Sequence, residues 1–265
     1  MCLSLKIKAY NEINFTNIAL VITKEKKAKE AWMIKKVLSI IPARGGSKEL
    51  PRKNIIDLVG KPLIAWTIEA SLNSKYITKT LVSSDDKEIL NIAEEYGAKV
   101  IKRPDNLATD DSTSIAVVEQ AIDILRSNKE EFDILVLLQP TSPLRTCVDI
   151  DAALDIFFEN SKVTSVISGF KVDNKFLKSL IISQPDSLLT PINTNYFSRR
   201  RQDLPDTFMP NGAIYIIDIK DFCKNKGFFT AKTLAYEMSK EHSIDIDLLK
   251  DLNLAQKIIK NRGSA

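Results

Sequence analysis

From Ile41 to Asn54 the chain reads Ile-Pro-Ala-Arg-Gly-Gly-Ser-Lys-Glu-Leu-Pro-Arg-Lys-Asn. Arg44, Lys48, Arg52 and Lys53 set four cations within ten residues of the double glycine Gly45-Gly46, and Ser47 adds a hydroxyl. Glycines let main-chain N–H groups approach an anion closely, and the cations supply charge-assisted hydrogen bonds, so the segment suits a phosphate. Neither the Gly-x-x-x-x-Gly-Lys-Ser/Thr nor the Gly-x-Gly-x-x-Gly spacing is present. A solvated basic turn is the plainer alternative. Far downstream, Asp245 and Asp247 alternate along Ser243-Ile244-Asp245-Ile246-Asp247, which puts both carboxylates on one side of an extended segment. With phosphate between them they form a hard oxygen site suited to Mg²⁺. Asp247 could also cap a helix starting near Leu248. Asp85-Asp86 is a rival acidic pair, read chiefly as the cap of a helix from Lys87. Arg103 precedes Pro104, which holds it extended and limits where it projects. Gln139 ends an apolar run, where a polar amide has work to do. His242 lies beside Ser243, but no acid at a supporting spacing makes them a nucleophile pair.

These groups need a frame, and the chain alternates two patterns from Lys36 onward. Val37–Ile41, Thr80–Ser83, Lys99–Ile101, Ile134–Leu138 and Val163–Ile167 read as strands. Pro62–Leu72, Lys87–Tyr96, Thr113–Leu125 and Ile150–Phe158 read as helices, the second stopping at Gly97 and the third capped by Asp110, Asp111 or Ser112. The unbroken apolar run Ile134–Leu138 suits a sheet covered on both faces. The expected fold class is therefore α/β, with a mostly parallel sheet sandwiched by helices and every strand-to-helix loop at one edge. Lys171–Met209 breaks the alternation with Pro185, Pro191, Arg199, Arg200, Arg201 and Pro205, and reads as an inserted arm. Asn211–Ile217 and Thr233–Met238 return to strand, and Leu248–Ile259 closes with a helix. Residues 1–32 lack Gly, Pro and a clear period. They read as an extension ahead of a natural start at Met33, or as a lead into a short capping helix over Ala28–Lys35.

Composition narrows the classes. Net charge is +4, from 38 basic against 34 acidic residues, which is a weak and dispersed excess for a nucleic-acid-binding surface. The apolar runs fall far short of the roughly 18 residues that span a bilayer. Cys2, Cys147 and Cys223 are too few and too scattered for a disulfide framework or a cysteine zinc site, and they suit a cytoplasmic setting. A single histidine, His242, leaves no basis for a histidine metal site.

Five segments in register give a family resemblance. They are the Arg44–Asn54 loop with Gly60-Lys61-Pro62-Leu63; Arg103-Pro104 with Leu107-Ala108 and Ser114; Leu137-Leu138-Gln139-Pro140-Thr141-Ser142-Pro143-Leu144-Arg145; Pro210-Asn211-Gly212-Ala213-Ile214-Tyr215; and Ser243–Asp247. Together the chain resembles the cytidylyltransferases that activate nonulosonic acids, from Lys36 to about Ile259. The resemblance implies a Rossmann-like fold whose arm swaps contacts in a homodimer. It also implies transfer of CMP from CTP to a 2-keto sugar acid, with release of pyrophosphate. It implies that Arg44, Gly45, Ser47, Lys48 and Lys53 surround the triphosphate and that Asn54 contacts the nucleotide. Arg103 and Ser114 would read the cytosine, and Gln139 would touch both nucleotide and sugar. Asp245 and Asp247 would hold Mg²⁺. Lys178 and Arg201 would reach the sugar from the partner's arm, and Tyr215, Phe228 and Phe229 would shape its pocket, with plain core packing as the other reading of the two phenylalanines. Glu49 stands where glycine is usual, and Met209 where arginine is frequent in the sialic acid enzymes. A catalytically silent nucleotide- or sugar-phosphate-binding regulator on the same fold is the alternative of a different class.

Overall fold

The computed structural model describes residues 35–47, 49–109 and 112–262. The expectations for residues 1–32, Lys48, Asp110 and Asp111 lie outside them. In chain order the principal elements are β1 (Val37–Pro42), α1 (Leu63–Leu72), β2 (Lys79–Ser84), α2 (Lys87–Glu95), β3 (Lys99–Lys102), α3 (Ser114–Ser127), β4 (Ile134–Leu137), α4 (Cys147–Glu159), β5 (Ser165–Val172), β6 (Leu180–Ser183), β7 (Leu188–Pro191), α5 (Thr194–Phe197), β8 (Thr207–Asp218), α6 (Ile219–Asn225), β9 (Thr233–Glu237) and α7 (Leu249–Arg262). Seven strands make one sheet in the order β3-β2-β1-β4-β8-β5-β9. The pattern of alternation along β4 explains the layering. Ile134 and Val136 point to one face, with Ile64, Ile68, Leu154 and Phe157 of α1 and α4, while Leu135 and Leu137 point to the other, with Val118, Ile122 and Leu125 of α3 and Phe222 of α6. Successive strand side chains alternate faces, so a strand covered on both sides must be apolar throughout.

The chain runs outward from β1 through β2 to β3, then crosses back to place β4 on the other side of β1. That reversal opens a crevice beyond the carboxyl ends of β1 and β4, where open α/β sheets bind ligands. The sheet is mostly parallel, as expected, with one antiparallel strand. β8 is antiparallel to both β4 and β5, because it is the return limb of a long hairpin with β5. The hairpin pairs Gly169 with Pro210 through Val172 with Thr207, so the segment 173–206, within the stretch read as an arm, leaves from its tip. Within the arm, β6 and β7 form their own two-stranded ribbon, which presents Ile181, Ile182, Leu188 and Leu189 to solvent.

Two caps fall elsewhere than expected. Thr113, rather than Ser112, caps α3 by accepting from the Ala116 N–H. The start of α7 is capped by Asp251, whose carboxylate accepts from the N–H groups of Asp247 and Leu248. The Asp247 side chain is thereby released from capping. Among the described residues no helix is long and apolar enough to cross a membrane.

Candidate active site

A cleft of about 350 Å³ occupies the crevice. One wall follows β1 and carries Arg44, Gly46, Ser47, Lys53 and Asn54; a second comes from Arg103, Thr109, Ser112 and Ser114; a third follows β4 with Gln139, Pro140 and Thr141; Asp245 and Asp247 close it. Segments that are far apart in sequence thus meet in one place. The placement of the two aspartates has a packing cause. Ile246 between them is fully buried in a cluster with Leu58, Leu63, Leu144 and the α7 residues Leu252 and Ala255. Its N–H donates to the Thr141 carbonyl at 2.8 Å. With Ile246 pinned inward, its neighbours must face outward.

Asp247 pairs with Lys53 at 2.7 Å. Asp245 accepts a hydrogen bond from Thr141, but the walls around it disfavour its charged form and push its carboxyl above the ordinary range, with Asp247 adding to the rise and Lys53 opposing it. Solvent still reaches Asp245 through the open mouth of the cleft. Among the described residues no three acidic, histidine or cysteine side chains converge. Two carboxylates can hold only part of a cation's shell. That suits a hard divalent ion which keeps waters and takes its remaining oxygens from phosphate, so the donor set fits Mg²⁺.

The basic loop is held by acids from the β2–α2 turn. Gly45 donates its N–H to Asp85 at 3.0 Å, and a Cβ on Gly45 would lie 2.8 Å from Asp86. Its glycine is therefore required by the neighbouring turn. Its N–H is spent on Asp85, and Gly46 is the glycine that lines the cleft. Asp86 caps α2 by accepting from Glu88 and Ile89 N–H groups, as expected for the rival pair. Asp86 and Glu88 also hold Arg52, so the positive charge of Arg52 is compensated outside the cleft. Asn54 donates to the Arg44 carbonyl at 2.8 Å, while its buried Oδ1 has no protein donor among the described residues. That leaves a carbonyl oxygen ready to accept from a ligand hydroxyl or amine.

Arg103 is almost wholly buried and donates through Nη2 to the Ser83 carbonyl at 2.9 Å. Burial pulls its guanidinium below the ordinary value; Asp85 opposes that and Arg44 adds to it. Gln139 lies over Gly212, whose φ is +76°. A Cβ there would fall 2.1 Å from the Gln139 Oε1, so the glycine makes room for the amide. Gly212 belongs to a register shift between β5 and β8. The gap is filled by Asn211, which accepts from Ser168 at 2.6 Å and donates to Ser243 at 2.8 Å. Asn211 therefore ties β5 and β8 to the segment bearing the two aspartates.

The remaining expected site residues lie outside the cleft of the single chain. Tyr215 is half-buried with its ring 5.6 Å from Phe228; burial, and then Asp245, raise its hydroxyl above the ordinary value. Phe228 is core, packed 5.1 Å from Phe222, and Phe229 is 77% exposed. Lys178 and Arg201 sit on the arm, where Arg201 pairs with Asp173 at 3.1 Å. Glu49 is exposed, and Met209 sits opposite Phe170 in the hairpin. Residue reasoning passed over Thr141, Asn211 and Arg145; the only signal for them was their place inside the quoted motifs.

The family model described as Cytidylyltransferase matches residues 38–256. The chain is 38% identical over 230 residues to the N-acylneuraminate cytidylyltransferase of Escherichia coli O18:K1:H7, covering 86% of this chain and 53% of that protein. It is 35% identical over 233 residues to the pseudaminic acid cytidylyltransferase of Campylobacter jejuni, covering 87% and 99%. It is 36% identical over 230 residues to the CMP-N,N'-diacetyllegionaminic acid synthase of Legionella pneumophila, covering 85% and 97%. The chain thus spans about half the length of the Escherichia relative and almost all of the other two. Among solved structures, a CMP:2-keto-3-deoxy-manno-octonic acid synthetase complexed with CTP superposes with a TM-score of 0.64 at 16% identity, covering 86% of this chain and 99% of that one. A 4-diphosphocytidyl-2C-methyl-D-erythritol synthase from Anaerococcus prevotii gives 0.59 at 14% identity, covering 85% and 99%. At such identities these two likenesses concern the fold alone.

Proposed function

The chain belongs to the cytidylyltransferase family, and from that premise we propose that it transfers CMP from CTP to the anomeric hydroxyl of a nonulosonic acid, releasing pyrophosphate. The observation that carries the reading is the convergence of the basic β1 loop and the Asp245–Asp247 pair on one cleft at the sheet's switch point. A triphosphate needs cations and donors along its oxygens; Arg44, Lys48 and Lys53 supply the charge from one loop, and Ser47 adds a hydroxyl. Asn54, Arg103, Ser114 and Gln139 hold the nucleoside, with the Asn54 Oδ1 available to a donor on the ligand. Asp245 and Asp247 would hold a divalent cation, Mg²⁺ in this reading, whose charge offsets that of the phosphate oxygens. The anomeric oxygen attacks the α-phosphorus in line, the bond to the β-phosphate oxygen breaks, and the hydroxyl proton passes to solvent. No covalent enzyme intermediate is required. The walls of the cleft orient the two substrates, which is where much of the rate of such a transfer originates.

The acceptor carries a carboxylate, and the cleft of one chain leaves the cations Lys178 and Arg201 on the arm. In our reading two chains pair through their arms, and each arm completes the other's sugar site. The apolar ribbon with Ile181, Ile182, Leu188 and Leu189 exposed supports this, since contiguous exposed apolar surface marks an interaction site. Tyr215, backed by Phe228, and the exposed Phe229 then face the sugar and its acyl group. The names of the relatives point to sialic, pseudaminic and legionaminic acids as acceptors. A silent binding protein has no observation in its favour. The test is pyrophosphate release from CTP with N-acetylneuraminic, pseudaminic and legionaminic acids in turn. Release that depends on one acceptor and on a divalent metal supports the reading; CTP binding with no turnover on any of the three contradicts it.

A further inference from the structure

The largest fully buried side chain among the described residues carries a charge: Arg145, 1% exposed. It lines no part of the cleft. Its Nη1 reaches the carbonyl oxygens of Gln139 at 3.5 Å and Ala213 at 3.4 Å, while its buried Nε and Nη2 have no partner among the described residues. Burial pulls the guanidinium down to about 9, against the field of Asp149, so it stays a cation at neutral pH. Asp149 is held in turn by Thr146 at 2.7 Å and by the Tyr236 hydroxyl at 3.0 Å. Buried cations with unmet donors do little for stability, and an apolar side chain of similar volume often serves the fold as well or better. The guanidinium therefore calls for a different explanation.

Its position supplies one. The ladder between β4 and β8 pairs Ile134 with Asp218 through Leu137 with Tyr215 and then stops. Continued in that register, Gln139 would face Ala213. There the ladder has ended, β8 carries the irregularity of its pairing with β5, and Arg145 donates to both carbonyls across the break; that of Gln139 also accepts the Ser142 N–H at 3.4 Å. Gln139 sends its side chain into the cleft from that point, and two residues on, Thr141 holds Ile246 and Asp245. We propose that Arg145 is a positioning residue that splices the broken ladder and so sets the direction of Gln139 and of the Thr141 contact to the acidic segment.

The kinetic half of this inference rests on the function proposed above; the structural half does not. The experiment uses Arg145→Met and Arg145→Lys, alone and combined with Gln139→Ala. Hydrogen exchange is measured on peptides covering 138–145 and 210–214, with peptides from β1 and β2 as controls. Exchange should rise in the first set only. In the CMP-transfer assay kcat/KM should fall about tenfold to hundredfold for Arg145→Met, but by less than about twofold in the Gln139→Ala background, because both changes remove one unit. The lysine, a single ammonium where a planar fork stood, should recover only part of the loss. Unchanged exchange at the two segments, exchange raised throughout the protein, or a loss undiminished in the Gln139→Ala background would each overturn the proposal. If Arg145→Met does not fold, Arg145→Lys carries both measurements. A wild-type protein that releases no pyrophosphate defeats the functional reading, while the exchange data still decide the role of Arg145.

Discussion

Replacing Gly212 by alanine separates the geometry of the site from the stability of the fold. The residue has a φ of +76°, a conformation that costs a residue with a Cβ roughly 1–2 kcal/mol. In a chain of this length that amounts to a fall in Tm of about 2–8 °C. The steric effect acts elsewhere. The new Cβ would lie 2.1 Å from the Gln139 Oε1 and 3.0 Å from its Cδ, where ordinary contact begins near 3.4 Å. The amide must retreat by more than about 1 Å, and as the end of a flexible side chain it can do so at little cost to folding. A displacement of that size in a substrate-holding group is worth on the order of 10²-fold in rate. Gly212→Ala should therefore stay folded at 25 °C, lose only a few degrees by scanning fluorimetry, and lose about a hundredfold in kcat/KM for pyrophosphate release. A folded Gly212→Ala protein with wild-type kcat/KM would refute the assignment of Gln139 to the reaction.

Other perturbations follow from the same geometry. The walls of the cleft raise the Asp245 carboxyl above the ordinary carboxylate range, so its ionisation opposes folding, and this opposition sets in as pH rises from the unfolded value through the folded one. In EDTA at pH 7, Asp245→Asn should be slightly more heat-stable than wild type, the gain kept small by solvent at the mouth, and it should be inactive; a less stable variant contradicts the assignment. Lys53 lowers the same carboxyl, so Lys53→Met should move the acidic limb of the pH–rate profile upward, and an unmoved limb counts against the coupling. Ile182 and Leu189, paired across the arm's ribbon, are the residues to charge. Ile182→Asp with Leu189→Asp should convert a dimer to a monomer by light scattering, and a monomeric wild type would end the shared-site reading. Arg201→Ala should raise KM for the acceptor more than KM for CTP, whereas equal effects would detach Arg201 from the sugar.

The parts of the molecule legible in the sequence are those with local causes. Ile134–Leu138 is apolar without a break, and Val37–Ile41 is interrupted only by the buried Ser39, because both faces of β4 and β1 are covered, and Gly97 with a φ of +90° stops α2 where its spacing indicated. What depended on distant partners stayed hidden. β8 is plainly a strand, but its direction is decided by the hairpin that carries the arm. The α3 cap fell on Thr113, one residue past Ser112. Gly45 and Arg52 belonged visibly to a basic loop, yet the acids that engage them, Asp85, Asp86 and Glu88, come from another turn. Asp251, four residues past Asp247, took over the capping role and left Asp247 to Lys53. Arg145 sat in a quoted motif, but nothing in the order of residues discloses that an arginine will be the largest fully buried side chain among the described residues.

The most direct measurement is a crystal structure of the full chain with CTP and magnesium. The account predicts the triphosphate along Arg44, Ser47 and Lys53, a metal ion between its oxygens and the carboxylates of Asp245 and Asp247, and the base beside Arg103 and Ser114. Density for CTP anywhere else on the molecule, or in the cleft with both carboxylates turned away from a metal-free phosphate chain, would contradict it.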